Sequence, residues 1–207
     1  MHHFIERDGV LHAEGVDLRA IAAEVGGRLV EEDFHRFYGA NTQQWGSAMA
    51  EILGHPDANE IATRTINHLE ALYRSGRVQV IPAGVAAVRR AAARGPVAIA
   101  SGSPRSIIAT LIEILGLTDV VHTYVSCDEV AGGKPLPDVY LEACRRINIA
   151  PERSLAIEDS LAGARAGKAA GMSVVVVPLP GAPSSTGAAE IADLVLTSLD
   201  ELPLAAR

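Results

Sequence analysis

The sequence predicts an α/β protein: a mostly parallel sheet flanked by helices, with an all-helical segment inserted near its N-terminus. Three observations predict it. From about residue 82 onward, short Val/Ile/Ala-rich segments alternate with helix-periodic ones, the pattern of successive βα units. Residues 14 to about 76 carry helical periodicity without a convincing strand. Aromatic residues make up only 4% of a chain that is 48% hydrophobic, so the core is built from Ala, Val, Ile and Leu, which suits helices laid closely on a parallel sheet.

A short first strand lies within Met1–Ile5. The helical segment follows: Leu18, Ile21, Ala22 and Val25 share one face, and Ala62, Ile66, Leu69 and Tyr73 share the face of a longer helix. Glycines between Gly39 and Gly54 break the helices twice. Strands are expected at Val97–Ser101, Val121–Val125, Ser154–Glu158 and Ser173–Val177, with a weaker one at Asp193–Leu196. Ser103-Pro104 offers a helix start, and Gly116 and Gly171 offer stops. Ile108, Leu111, Ile112 and Leu115 form one core-facing stripe, and Val139, Ala143 and Ile147 another. Gly163 and Gly167, four apart, permit close helix-to-sheet packing, and the Pro/Gly/Ser stretch 178–187 is a surface loop. The expected organisation is a discontinuous core, residues 1–13 and 80–207, with residues 14–79 as the helical insertion.

The formal net charge of −7 disfavours nucleic acid and anionic membranes as partners. No apolar run approaches the ~20 residues that span a bilayer, and none after Met1 reads as a signal peptide. A cytoplasmic setting with Cys127 and Cys144 as free thiols is expected. So is a monomer, because no long apolar stripe remains unassigned.

In open α/β sheets ligands sit at the carboxyl ends of the strands. Residues there are Glu6-Arg7-Asp8-Gly9-Val10, Ser101-Gly102-Ser103-Pro104, Gly133-Lys134-Pro135-Leu136-Pro137-Asp138 and Glu158-Asp159-Ser160-Leu161-Ala162-Gly163. Ser101, with the amides of Gly102 and Ser103 before a helix, can cradle a phosphate, or can be an ordinary strand-to-helix turn. Lys134, stiffened by flanking Gly and Pro, can neutralise phosphate, although a lone Lys in such a turn is commonly solvated. The adjacent carboxylates Glu158 and Asp159 repel unless a cation lies near them, and hard oxygen donors suit Mg²⁺. The competing reading has Asp159 cap the following helix.

These motifs, in this order, resemble the haloacid dehalogenase superfamily, specifically its β-phosphoglucomutase-like phosphatases with a helical cap. The resemblance covers nearly the whole chain and implies a Rossmann-like core. It also implies a Mg²⁺-dependent phosphohydrolase or phosphomutase acting on a small phosphorylated metabolite. In such enzymes the first motif reads Asp-x-Asp-Gly-Val, its first Asp attacking phosphorus and its second serving as general acid and base. Asp8 matches the second, but Glu6 stands at the nucleophile position, Arg7 replaces an apolar residue, and Ala13 stands where another Asp is common. One extra methylene shifts the carboxylate by about 1 Å, an error that can cost about 10²-fold in rate.

Three readings of Glu6 stay open: a slow nucleophile, a metal ligand in a protein that binds phosphate esters without turning them over, or an altered N-terminus. The resemblance thus implies Glu6, Asp8 and Lys134 as catalytic residues and Ser101, Gly102 and Lys134 as the phosphate site. It implies Glu6, Asp8, Glu158 and Asp159 as Mg²⁺ ligands. Dehalogenation is disfavoured, because dehalogenating members do without the metal and the second Asp. In the cap, Arg36, Asn41 and Gln44 lie in the segment that contacts the rest of the substrate, and Trp45 fits the cap's own core. The histidines, without His-x-His or His-Glu-x-x-His spacing, do not support zinc.

Overall fold

The computed structural model of the protein describes residues 2–5, 18–30, 33, 36–37, 40–76, 81–178 and 185–202. The sheet has six parallel strands: β1 (His2–Ile5), β2 (Val97–Ser101), β3 (Val121–Ser126), β4 (Ser154–Glu158), β5 (Ser173–Val176) and β6 (Leu194–Val195). Their order is β3-β2-β1-β4-β5-β6, so β1 is central and pairs with both β2 and β4. Strand order reverses at β1, which makes the carboxyl ends of β1, β2 and β4 the crevice where such sheets bind ligands. Ile5 is level with Ile157 in the β1–β4 register, one residue before Glu158.

Seven helices are described: α1 (Leu18–Glu24), α2 (Thr42–Leu53), α3 (Ala58–Arg74), α4 (Pro82–Ala92), α5 (Arg105–Ile114), α6 (Asp138–Ile147) and α7 (Leu161–Ala169). On one sheet face, Val139, Tyr140 and Ala143 of α6 and Ala164 of α7 bury against Ala98, Ala156 and Val174. On the other, Ala87, Val88 and Ala91 of α4 bury against Val97, Leu155 and Ile157. Alanine dominates the contact positions because small side chains let helices approach a sheet that is itself filled by branched residues. Gly167 does the same: a Cβ there would lie 2.9 Å from Val174 Cγ2 and 3.1 Å from the Ala156 Cβ.

α1, α2 and α3 gather around a separate apolar cluster of Ile21, Leu29, Phe37, Trp45, Met49 and Ile61. α2 lies inside the stretch where glycines signalled breaks. Gly54, at φ 63°, ends it in the left-handed region that favours glycine. α3 then reaches the sheet domain, where Leu69, Leu72 and Tyr73 cover Ile107 of α5. The expected strands appear within one residue of their sequence bounds. One start differs: Pro104 is the N-cap residue of α5 rather than its first helical residue. Cys127 and Cys144 are buried thiols outside any disulfide.

Candidate active site

Ser101 closes β2 and is 6% exposed. Its Oγ accepts a hydrogen bond of 3.0 Å from the Ser103 amide. That amide, expected to face an anion, is therefore engaged within the loop, and the Ser101 hydroxyl keeps its own hydrogen to donate. Ser126 Oγ, from the end of β3, donates to the Ser103 carbonyl at 2.7 Å and braces the loop. α5 begins immediately after, and no side chain caps its N-terminus, so its positive end faces the crevice. Gly102 lies against the helical unit: a Cβ on it would make an ordinary 3.5 Å contact with the carbonyl oxygen of Ala40, at the entry to α2. The helical unit thus reaches over the Ser101 loop.

Lys134, whose side chain is 2% exposed, does not behave as a solvated turn residue. Its Nζ lies 2.6 Å from Glu158 Oε1, 3.4 Å from the Ala100 carbonyl and 3.4 Å from Tyr140 Oη. It also sits 4.9 Å from the centre of the Tyr140 ring, within cation–π range. Tyr140 donates its hydroxyl to the same Glu158 oxygen, and Ser160 Oγ donates to Oε2 at 3.3 Å. Burial pushes the Lys134 ammonium below its ordinary value, against the pull of Glu158 and Asp159. Burial, followed by the Glu158 charge, raises the Tyr140 phenol well above its ordinary value, so it stays a donor.

Both oxygens of Glu158, expected as a metal ligand, accept hydrogen bonds from Lys134, Tyr140 and Ser160. Asp159 is 7% exposed at the end of β4. It is not the helix cap of the competing reading, because Ser160 is the N-cap of α7 and accepts from the Gly163 amide at 3.1 Å. Two buried carboxylates thus stand beside one buried ammonium among the described residues, a local negative charge that a divalent cation would offset. Among the described residues, no three Asp, Glu, His or Cys side chains form a metal-holding group. Glu6 and Asp8, with Arg7 and Ala13, lie outside the described residues.

Ser101, Ser103, Glu158 and Asp159, with Thr197 and Ser198, line a cavity of about 320 Å³ whose other walls are mostly aliphatic, such as Val88, Ile99 and Ile112.

The three residues expected to touch the substrate's organic part each have a local partner. Asn41 and Gln44 form a reciprocal capping box: Asn41 Oδ1 accepts from the Gln44 amide at 2.9 Å, and Gln44 Oε1 accepts from the Asn41 amide at 3.0 Å. Arg36 pairs with Glu51 at 2.5 Å. Trp45 lies in the helical unit's core, as its sequence context suggested. Sequence reasoning missed Asp128, which follows β3 and accepts from Thr42 at the start of α2, from the amide at 2.7 Å and from Oγ1 at 2.5 Å. Its signal was present in Ser126-Cys127-Asp128-Glu129, a capping box that presents Asp128 at a defined point.

Residues 6–171 match the haloacid dehalogenase-like hydrolase family. A bifunctional riboflavin kinase/FMN phosphatase of Arabidopsis thaliana is 38% identical over 130 residues, 62% of this chain and 34% of that protein. Hexitol phosphatase B of Escherichia coli K12 is 32% identical over 148 residues, 71% of this chain and 66% of that protein. The chain thus spans between a third and two thirds of the length of these curated relatives. The crystal structure of CbbY from Rhodobacter sphaeroides in complex with phosphate superposes with a TM-score of 0.80 at 23% identity, covering 98% of this chain and 96% of that one. This last likeness concerns the fold.

Proposed function

From the premise that the chain belongs to the haloacid dehalogenase-like hydrolase family, we propose that it cleaves or transfers the phosphoryl group of a small phosphorylated metabolite. The observation that carries this reading is the convergence of Ser101, Lys134 and Asp159 at the carboxyl ends of β2 and β4, beside the strand that leads to Glu6. Phosphatases of FMN and of hexitol phosphates among its relatives support the substrate class.

Mg²⁺ suits the site. Asp159, Glu6 and Asp8 would hold it, and it would supply charge to phosphate oxygens, as hard oxygen donors favour. The remaining work falls to the chain. The Ser101 hydroxyl donates to a phosphate oxygen, and the Lys134 ammonium, one residue away at the Ala100 carbonyl, stabilises the charge that gathers on the equatorial oxygens. The Glu6 carboxylate attacks phosphorus in line, while Asp8 protonates the departing oxygen and then takes a proton from the incoming water or hydroxyl. Return by water makes a phosphatase, and return by a sugar hydroxyl makes a mutase. The same residues serve both.

The helical unit, residues 14–79, acts as a cap over the crevice. It meets the core at Asp128–Thr42 and along α3–α5. No described helix is long and apolar enough to cross a membrane, and buried thiols outside any disulfide suit a reducing, cytoplasmic setting. The chain works as a monomer.

A second reading is favoured by one specific observation, the departures at Glu6, Arg7 and Ala13 within one short motif. In it, the protein binds phosphorylated ligands without turning them over. Phosphate release from sugar and nucleotide monophosphates decides between the two. The first reading expects turnover that Glu6→Gln abolishes and that Glu6→Asp raises by about 10²-fold. Inert protein that gains activity only as Glu6→Asp favours the second, and an inert Glu6→Asp variant contradicts the first.

A further inference from the structure

The start of α2 is held to the sheet domain by one carboxylate. Thr42 is the first residue of the helix, and Asn41 before it turns its side chain to the Gln44 amide. The Thr42 amide is thus one of the donors that a helix start leaves without an intrahelical acceptor. Asp128, 86 residues away in sequence, accepts from that amide at 2.7 Å and from Thr42 Oγ1 at 2.5 Å. Its charge also stands at the positive end of α2. The turn that presents Asp128 is itself fixed. Ser126 Oγ accepts from the Asp128 amide at 3.1 Å and donates to the Ser103 carbonyl at 2.7 Å. Glu129 accepts from the Ser126 amide at 2.9 Å, from Arg105 at 2.9 Å and from Arg146 at 3.0 Å. One turn therefore touches the start of α2 on one side and the Ser101–Ser103 loop on the other. Ala40, two residues before Thr42, brings its carbonyl against Gly102 of that same loop.

We infer that Asp128 is a positioning residue that seats the start of α2 beside the Ser101–Ser103 loop, so that the Asp128–Thr42 contact and phosphate binding favour each other. This rests on the functional reading above. A second seam between the two units runs along α3 and α5, where Leu69, Leu72 and Tyr73 cover Ile107 and Arg74 reaches Thr110 at 3.2 Å. That seam buries apolar side chains, and parting it would expose them to water. The Asp128 contact is exposed and consists of two hydrogen bonds to one residue, so it breaks and re-forms without uncovering apolar surface. Its loss frees Ala40 and Thr42 to move away from Gly102. A phosphate held at Ser101 orders the loop that Ser126 braces. By linkage, whatever factor the Asp128–Thr42 contact adds to phosphate affinity, phosphate adds to that contact.

Amide hydrogen exchange at Thr42, followed by NMR on the whole protein, reads the contact without relying on turnover. Asp128→Ala removes the acceptor and leaves Ser126 and Glu129 in place. It is expected to speed exchange at Thr42 by about tenfold, the scale of one hydrogen bond to a charged group, while amides of β2 and β4 exchange as in wild type. Calorimetry with inorganic phosphate, Mg²⁺ present, is expected to show binding about fivefold weaker in the same variant. Thr42→Val tests the contact from the helix side: it keeps the amide and loses the hydroxyl, so both shifts recur at smaller size, and Thr42→Ser restores wild-type values. Unchanged exchange at Thr42 in Asp128→Ala, or faster exchange with wild-type phosphate affinity, overturns the inference and leaves the functional reading standing. Equal acceleration in β2 and β4 marks a general loss of stability and overturns it too. Wild-type protein that binds no phosphate overturns the functional reading and the inference with it.

Discussion

Lys134 carries the electrostatic weight of the site, because a fully desolvated ammonium is tolerated only against a well-placed anion. Glu158 at 2.6 Å is that anion. Removing one partner strands the other, so Lys134→Met is expected to lower stability by about 3–5 kcal/mol, read as a fall in the urea midpoint without a change of slope. A loss below about 1 kcal/mol would mean that Glu158 finds compensation elsewhere. The position of Lys134 was legible in the sequence, since Gly133 and Pro135 confine it. The Tyr140–Glu158 contact beside it was not: it joins α6 to β4 through the core, and residue spacing carries no trace of it. Asn41 and Gln44 carried a local signal that their types and spacing already held. Three apart at a helix start, they satisfy each other as a capping box.

At the scale of elements, α6 shows how charge pins a helix to its neighbours. Glu142 accepts from Arg145 at 2.6 Å and from Arg146 at 2.7 Å, and Arg146 continues to Glu129 at 3.0 Å. The hydrogen bonds from Arg145, then Arg146, lower the Glu142 carboxyl from its ordinary 4.5 to about 2. A carboxyl depressed in the folded state contributes stability above its unfolded value and loses it as pH falls through its folded value. The contribution is therefore complete above about pH 5 and gone near pH 2. Denaturant titrations between pH 6 and pH 2.5 should show Glu142→Gln losing less stability with acid than wild type, and equal losses would contradict the assignment. The strands were legible because Val/Ile runs bounded by Gly, Pro and polar residues leave little choice. α2 was less so, since Gly46 inside it reads as a breaker, whereas it exists to let α2 approach α3: a Cβ there would lie 3.1 Å from the Ala62 Cβ.

The whole molecule is one parallel sheet whose order reverses at β1, with a helical unit fed in between β1 and α4. That topology gathers residues from distant motifs at one crevice, which is why four short motifs in order were informative when each alone was ambiguous. Net charge of −7 excludes little about an anionic substrate, because Glu158 and Asp159 count toward it and are buried away from solvent, Glu158 against Lys134. What the sequence could not carry is which hydrogen-bond donors the fold brings to each of two adjacent carboxylates. The central claim is metal-dependent phosphoryl chemistry at Asp159. It is tested most directly by phosphate release from hexitol phosphates with Mg²⁺ present and after its removal by chelator, in wild type and Asp159→Asn. The account predicts release that stops with chelation, returns with Mg²⁺ and is absent in Asp159→Asn at every Mg²⁺ concentration. Release that persists after chelation, or that survives in Asp159→Asn, would contradict it.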